Sequence, residues 1–272
     1  MNYRHAFHAG NHADVFKHAA LTLALEHLCA KPQPFAVLDT HAGIGVYDLT
    51  SDEAKRSPEY LEGVGRIFGR ELAAAPGYSR LIAELNPDGL KTYPGSPEIV
   101  RAMLRPDDRL IACELHPDDA QTLKARYRED RRIQVHHRDG YEAALALTPP
   151  PERRGLVFID PPFERDDEGQ RLVRTLAAGL KRWPGGTFMA WYPIKDRKLS
   201  GALQAAAADL PKVVRAELTP FTWEENSLPG SGLLICNAPW KLDEKLAALC
   251  EELSGLLGSG NGRWTVDQLT PA

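Results

Sequence analysis

Seven short runs rich in apolar and β-branched residues recur along this chain, most of them separated by stretches with helical periodicity. That alternation constrains the fold more than any other feature, because strands joined through helices pair in parallel and need cover on both faces. The runs fall at 35–39, 109–114, 132–137, 155–160, 187–192, 213–219 and 232–237. Helical patterns are expected at 12–30, 97–104, 117–128, 167–182, 196–208 and 242–257. Asp196 and Asp243 suit helix starts, and Pro97 and Pro117 suit first turns. The loop 220–231 is too short for a crossover helix, so the seventh strand is expected to return antiparallel. "GSGNGRW" (258–264) reads as a loop, with a loosely held tail behind it.

One segment breaks the alternation. Residues 47–94 exceed what a single crossover needs, and Tyr60, Leu61, Val64, Ile67, Phe68, then Tyr78, Leu81, Ile82 and Leu85 recur at helical spacing. The expected class is therefore α/β: a seven-stranded, mostly parallel sheet with an antiparallel last strand. The main domain is built from 1–46 and 95–272, and 47–94 is a small inserted helical subdomain with its own small core.

A hydrophobic content of 43% with 26% charged residues fits a soluble globular chain. The net charge of −4 argues against indiscriminate coating of nucleic acid, though a local basic face can still read a structured partner. Cys29, Cys113, Cys236 and Cys250 are far apart and sit mostly in apolar runs, as reduced buried thiols do. The apolar runs fall short of a membrane span and the N-terminus lacks a secretory apolar core, so no membrane association and a cytoplasmic location are expected.

The chemistry gathers at strand ends. "VLDTHAGIG" (37–45) leads a strand into Asp39 and a turn with Gly43 and Gly45, where missing side chains let a ligand approach the backbone. Dinucleotide folds, nucleotide folds and plain tight turns all use such glycines. Glu114 ends the second strand, Asp139 and Gly140 follow the third, and Asp160 follows the fourth. Any one of these acids reads as a helix cap, but four on one carboxyl edge point to a ligand crevice. Asp160 opens "DPPFE", whose prolines remove backbone donors and leave a turn suited to accepting hydrogen bonds.

These features resemble a Rossmann-like class I S-adenosylmethionine-dependent methyltransferase, and Asp-Pro-Pro-Phe is similar to the motif of enzymes that methylate exocyclic amines of nucleobases. His41 replaces the first glycine of the usual loop. With "YRHAFHAGNHADVFKH" (3–18), "YPGSP" (93–97), "CELHP" (113–117) and "WYP" (191–193), the chain resembles the RlmJ-type 23S rRNA adenine-N6 methyltransferases over nearly its whole length. The resemblance implies S-adenosylmethionine as cofactor, no metal, 23S rRNA as partner and a monomer. It implies cofactor contacts from Lys17 or His18, Asp39, His41, Gly43, Ser96, Glu114, Asp139, Gly140 and Asp160. Catalysis falls to Asp160 and Pro161 with Phe163, and substrate contacts to Tyr3, Arg4, His5, Phe7, His8, Phe163 and Lys195.

An adenine amino nitrogen is a poor nucleophile because its lone pair is delocalised into the ring. If Asp160 accepts one N–H and the Pro161 carbonyl the other, the nitrogen can pucker toward the methyl donor while Phe163 stacks on the base. A carboxylate with a reference pKa of about 3.9 cannot deprotonate the neutral amine beforehand, so Asp160 is expected to act first as an acceptor.

His5, His8, His12 and His18 raise the idea of zinc, but no acids or cysteines are evident to complete a ligand set, and capping or surface roles are expected for most. The basic runs 124–132 and 195–198 are candidate RNA contacts, the second lying beside the site. Guanine-N2 methylation of rRNA, adenine methylation of DNA and a non-catalytic RNA-binding module on the same fold are the alternatives. The imperfect glycine fingerprint disfavours an NAD-dependent oxidoreductase.

Overall fold

The computed structural model describes residues 4–195, 197–223, 228–258, 260 and 262–270, and backbone only for 197 and 198. Ten strands occur among them: β1 (Ala36–Asp39), β2 (Val46–Asp48), β3 (Thr92–Pro94), β4 (Arg109–Glu114), β5 (Ile133–His137), β6 (Gly155–Ile159), β7 (Thr187–Ile194), β8 (Val213–Thr219), β9 (Gly230–Cys236) and β10 (Arg263–Gln268). The α-helices are α1 (His12–Cys29), α2 (Asp52–Arg56), α3 (Val64–Ile67), α4 (Pro76–Glu84), α5 (Ser96–Met103), α6 (Pro117–Tyr127), α7 (Gly140–Ala146), α8 (Glu168–Arg182), α9 (Arg197–Ala207) and α10 (Leu242–Leu257).

The main sheet runs β10-β8-β9-β7-β6-β1-β4-β5. β5, β4, β1, β6 and β7 are parallel, which accounts for the uninterrupted burial of β1 and β6 between two helical layers. β9 lies between β7 and β8, antiparallel to both, as the short loop before it requires. The chain leaves β1 toward β4 and β5, then returns to β6 and β7 on the other side. The resulting switch point lies at the carboxyl ends of β1, β4 and β6.

The sheet has eight strands rather than the expected seven. The surplus is β10, in the segment read as a loose tail; it pairs antiparallel with β8 from Arg263↔Thr219 to Gln268↔Val214. Asp243 does not cap α10. Lys241, in the left-handed region at φ 60°, holds the N-cap, and Asp243 accepts from Gln268 Nε2 at 3.0 Å. Asp196 lies outside the described residues. Pro97 and Pro117 do occupy first turns.

The long excursion after β1 is closed by β2 and β3, which pair antiparallel. Its apolar residues do not form a core of their own. Val64, Ile67, Tyr78 and Ile82 join the cluster that holds Leu21 and Leu25 of α1 and Leu253 and Leu257 of α10. A chain of hydroxyls reinforces this: Tyr78 Oη and Tyr93 Oη are 3.0 Å apart, and Tyr93 Oη is 2.8 Å from His18 Nδ1. α1 is apolar on most of its circumference and accordingly buried along most of its length, packing on α4, α5 and α10. Asn11 caps it, accepting from the amide of Asp14 at 3.0 Å. No described helix is long and apolar enough to cross a membrane. Cys29 is half-buried and the other three cysteines are buried, all with free thiols.

Candidate active site

A cavity of about 910 Å³ opens at the switch point. Gly43 and Gly45 turn the chain after β1 at φ 62° and 85°, a left-handed conformation that disfavours side chains. The turn is tied to β4, since Ala42 N donates to Cys113 O at 2.9 Å and Gly43 N to Glu114 Oε2 at 2.8 Å. The other Glu114 oxygen accepts from His116 N at 2.7 Å. A carboxylate has about four acceptor positions, so roughly two remain open to a ligand. Burial raises the pKa of Glu114 above the usual range.

Asp139 caps α7, accepting from the amides of Tyr141 (2.9 Å) and Glu142 (3.1 Å), and its other oxygen accepts from Arg171 at 3.2 Å. Burial alone would raise this acid, but those amides and the guanidinium hold its pKa down. Arg171 also lies over the Tyr141 ring, 4.4 Å from its centroid. Gly140 seats α7 against the β1 turn so tightly that a Cβ would lie 2.1 Å from the Thr40 carbonyl oxygen.

Asp39 is fully buried beneath the cavity and does not line it. Burial pushes its pKa up to about 7, with the neighbouring charges of Asp160 and Glu114 adding to the rise and the Ser96 hydroxyl opposing it. Its Oδ2 has no hydrogen-bond partner among the described residues. The His41 ring, by contrast, lines the cavity, with burial lowering its pKa to about 4, and meets Tyr141 edge-on at 5.3 Å.

The Asp160–Phe163 turn closes the far wall. Phe163 holds φ 49°, an uncommon conformation for an aromatic residue, and meets Trp191 edge to face at 5.9 Å. Asp160 Oδ2 lies 2.6 Å from Lys17 Nζ, and the same ammonium lies 2.7 Å from Asp14 Oδ1 and 5.2 Å from the Trp191 ring centroid. Burial alone would lower the pKa of Lys17, but the two carboxylates outweigh it and raise it.

Of the residues singled out from the sequence, the cavity gathers Lys17, His18, His41, Gly43, Ser96, Glu114, Asp139, Gly140, Asp160, Pro161 and Phe163, together with His5, His8 and Lys195. Arg4 and Phe7 are not in the wall, and Arg4 lies 3.8 Å from Asp119. Tyr3 is outside the described residues. Lys17 faces Asp160 rather than open space, and His18 is engaged with Tyr93.

The N-terminal histidines depart from expectation. His12 and His18 are buried, and burial lowers their pKa values to about 4 and 3. Acids do accompany the other two: His5 Nε2 is 3.0 Å from Asp14 Oδ2, and His8 Nδ1 is 2.8 Å from Glu59 Oε1. Among the described residues no group of three or more His, Cys, Asp or Glu side chains could hold a metal. Of the basic run 124–132, Arg126 donates to Ile44 O, Arg128 pairs with Glu129 and Arg132 pairs with Asp130, so much of it serves local structure. Reading the sequence missed Asp14, Glu59, Arg171 and Trp191 as parts of the site. The spacing of Asp14 and Lys17, three apart on one helix, was the available signal for one of them.

The residues present suit S-adenosylmethionine. A bare glycine turn and an acid with spare acceptor positions lie along one crevice, with the buried Asp39 carboxylate beneath it. A protein-family model described as "RsmJ: Ribosomal RNA large subunit methyltransferase D, RlmJ" matches residues 32–270. The chain is 39% identical to Ribosomal RNA large subunit methyltransferase J of Escherichia coli K12, covering 100% of this chain and 99% of the relative. It is 37% identical to the Haemophilus influenzae protein of the same name, with the same coverage. A crystal structure of a Legionella pneumophila protein superposes with a TM-score of 0.90 at 32% identity, covering 96% of this chain and 98% of that one. A switch-point crevice ending in Asp-Pro-Pro-Phe and full-length likeness to these relatives lead to one assignment: the chain belongs to the ribosomal RNA large subunit methyltransferase J family.

Proposed function

We propose that this chain methylates the exocyclic N6 of an adenine in 23S rRNA, with Asp160 as the acceptor and base and Pro161 and Phe163 as its partners. The observation that carries the reading is that Asp160, Pro161 and Phe163 line the same cavity as the Glu114 and Asp139 strand ends. S-adenosylmethionine supplies a methyl group activated by its sulfonium. Gly43, Glu114, Asp139 and Gly140 would hold it, with Asp39 beneath. Asp160 and the Pro161 carbonyl accept the two N–H bonds of the amine and localise its lone pair. Phe163 stacks on the base, and its backbone conformation fixes the ring against Trp191. The proton that the methylated, cationic nitrogen must lose passes to the Asp160 carboxylate, leaving a neutral N6-methyladenine and a neutral carboxyl. His5, His8 and Lys195 at the cavity wall contact the extruded nucleotide and its phosphates.

Incubation with unmodified 23S rRNA and methyl-labelled S-adenosylmethionine, followed by digestion to nucleosides, is expected to place the label in N6-methyladenosine. Label in a guanosine, or none above background, overturns the reading.

A further inference from the structure

Asp14 has no exposed surface, yet it lies in the first turn of α1 beside two other charged groups. Its Oδ2 accepts from Gly10 N at 2.7 Å and lies 3.0 Å from His5 Nε2. Together with the Asn11 cap this resembles a capping box, and capping accounts for that oxygen. It does not account for Oδ1, which faces Lys17 Nζ at 2.7 Å while the ammonium reaches Asp160 Oδ2 at 2.6 Å. A single cation therefore sits between two carboxylates in a region where an unmatched charge is costly.

The arithmetic of charge decides what Asp14 does. Were Lys17 to face Asp160 alone, the pair would be neutral and the ammonium would draw the carboxylate's electron density to itself. With Asp14 sharing the ammonium, the trio keeps one net negative charge. We propose that Asp14 is a positioning residue that divides the charge of Lys17, so that Asp160 remains a strong enough acceptor for the target amine. This rests on the proposed role of Asp160 in the reaction.

The surroundings leave no other strong partner for Lys17 among the described residues. His5 and His8 from the N-terminal segment, His12 and His18 from α1, and Tyr78 and Tyr93 from the excursion face Asp14, while Asp39 and Tyr93 lie near Asp160. His12 and His18 are held neutral by burial and the tyrosine hydroxyls are pushed to higher pKa by burial, so none of these four supplies a compensating charge near neutral pH, while His8 is engaged by Glu59. Burial would raise the pKa of Asp14 itself, but His5 and Lys17 hold it well below the usual range.

Asp14→Asn keeps the shape and the acceptor for Gly10 N–H, and it has two readouts. The first uses protein without cofactor, labelled with ε-13C lysine: in the wild type Lys17 keeps its proton above the ordinary lysine range, whereas in Asp14→Asn it loses it at lower pH than in the wild type. The second is the single-turnover methylation rate against pH. The plateau is expected to fall roughly tenfold, less than the 100-fold or more expected for loss of an acid–base group, and the acid limb to move to lower pH. Affinity for S-adenosylmethionine stays within about twofold, because Asp14 belongs to no proposed cofactor contact. In a Lys17→Met background, Asp14→Asn is expected to leave the acid limb in place.

An unchanged Lys17 titration, or an acid limb that moves equally with and without Lys17, overturns the proposal and leaves Asp14 as a helix cap. Should Asp14→Asn fail to fold, the wild-type titration decides alone, and a Lys17 that loses its proton below the ordinary lysine value overturns it. Failure of the wild type to methylate adenine would instead remove the proposed reaction, and the titration in unloaded protein would still be readable.

Discussion

Glu114 Oε2 receives the amide of Gly43 at 2.8 Å, so the carboxylate that ends β4 also fixes the turn that follows β1. Its other oxygen receives the amide of His116 at 2.7 Å. Two neighbouring strand ends are thereby locked before any ligand arrives. In Glu114→Gln one acceptor becomes an NH₂ donor facing an N–H donor. The expected cost is about 1–2 kcal/mol in unfolding free energy, measured by urea denaturation of the cofactor-free protein. Thermal stability should fall in parallel, because the conflict is present in the free protein.

Gly140→Ala tests the seating of α7. The added Cβ would lie 2.1 Å from the Thr40 carbonyl oxygen and 2.8 Å from its carbon, and backbone cannot swing aside as a side chain does. A loss of about 2 kcal/mol or more in unfolding free energy is expected, measured by urea denaturation, with cofactor binding weakened because Asp139 moves with the helix.

Asp39 should trade stability for binding. In the folded protein burial pushes its pKa up to about 7, so the native state holds a proton that the unfolded chain releases near its ordinary value. The linkage sign follows: stability falls as pH rises from the unfolded pKa through about 7, and the buried ionised acid is a liability above that. Asp39→Asn is expected to raise the Tm of the cofactor-free protein at pH 8, by an amount corresponding to on the order of 2 kcal/mol, and to weaken cofactor binding. At pH 4 the two proteins should melt alike.

The His8–Glu59 contact carries the opposite sign. The hydrogen bond that His8 donates to Glu59 raises the pKa of His8 against the effect of burial, so its stabilisation is full below the ordinary histidine value and fades as pH climbs past the raised one. Because Glu59 belongs to the excursion after β1, the contact fastens the N-terminal segment to it. His8→Gln should lower the Tm at pH 5.5 and leave it nearly unchanged at pH 9.

The sequence was most legible where strands are buried on both faces. β4 and β6 read as apolar runs, and their carboxyl ends put Glu114 and Asp160 on one edge of the sheet. β10 escaped notice because RWTVDQ offers only Trp264 and Val266 in alternation, too short a signal beside the glycines that precede it. α1 hid its chemistry for the converse reason. A helix apolar nearly all round gives no polar face, so the i,i+3 spacing of Asp14 and Lys17 said that they meet but not that they point into the cavity. Glu59 and Arg171 meet the site through tertiary packing, at sequence distances that carry no local signal. Phe163 was recognisable as an aromatic after two prolines, but its left-handed backbone was not.

The interleaving of β9 between β7 and β8 bears on how a ribosome must deliver this protein. A nascent chain released only as far as Thr219 has β8 made but with no neighbour to dock on, and one long border of β7 stripped of its ladder. The arrival of Gly230–Cys236 zips both borders at once, so the carboxyl-terminal half should snap shut late in synthesis rather than accrete strand by strand.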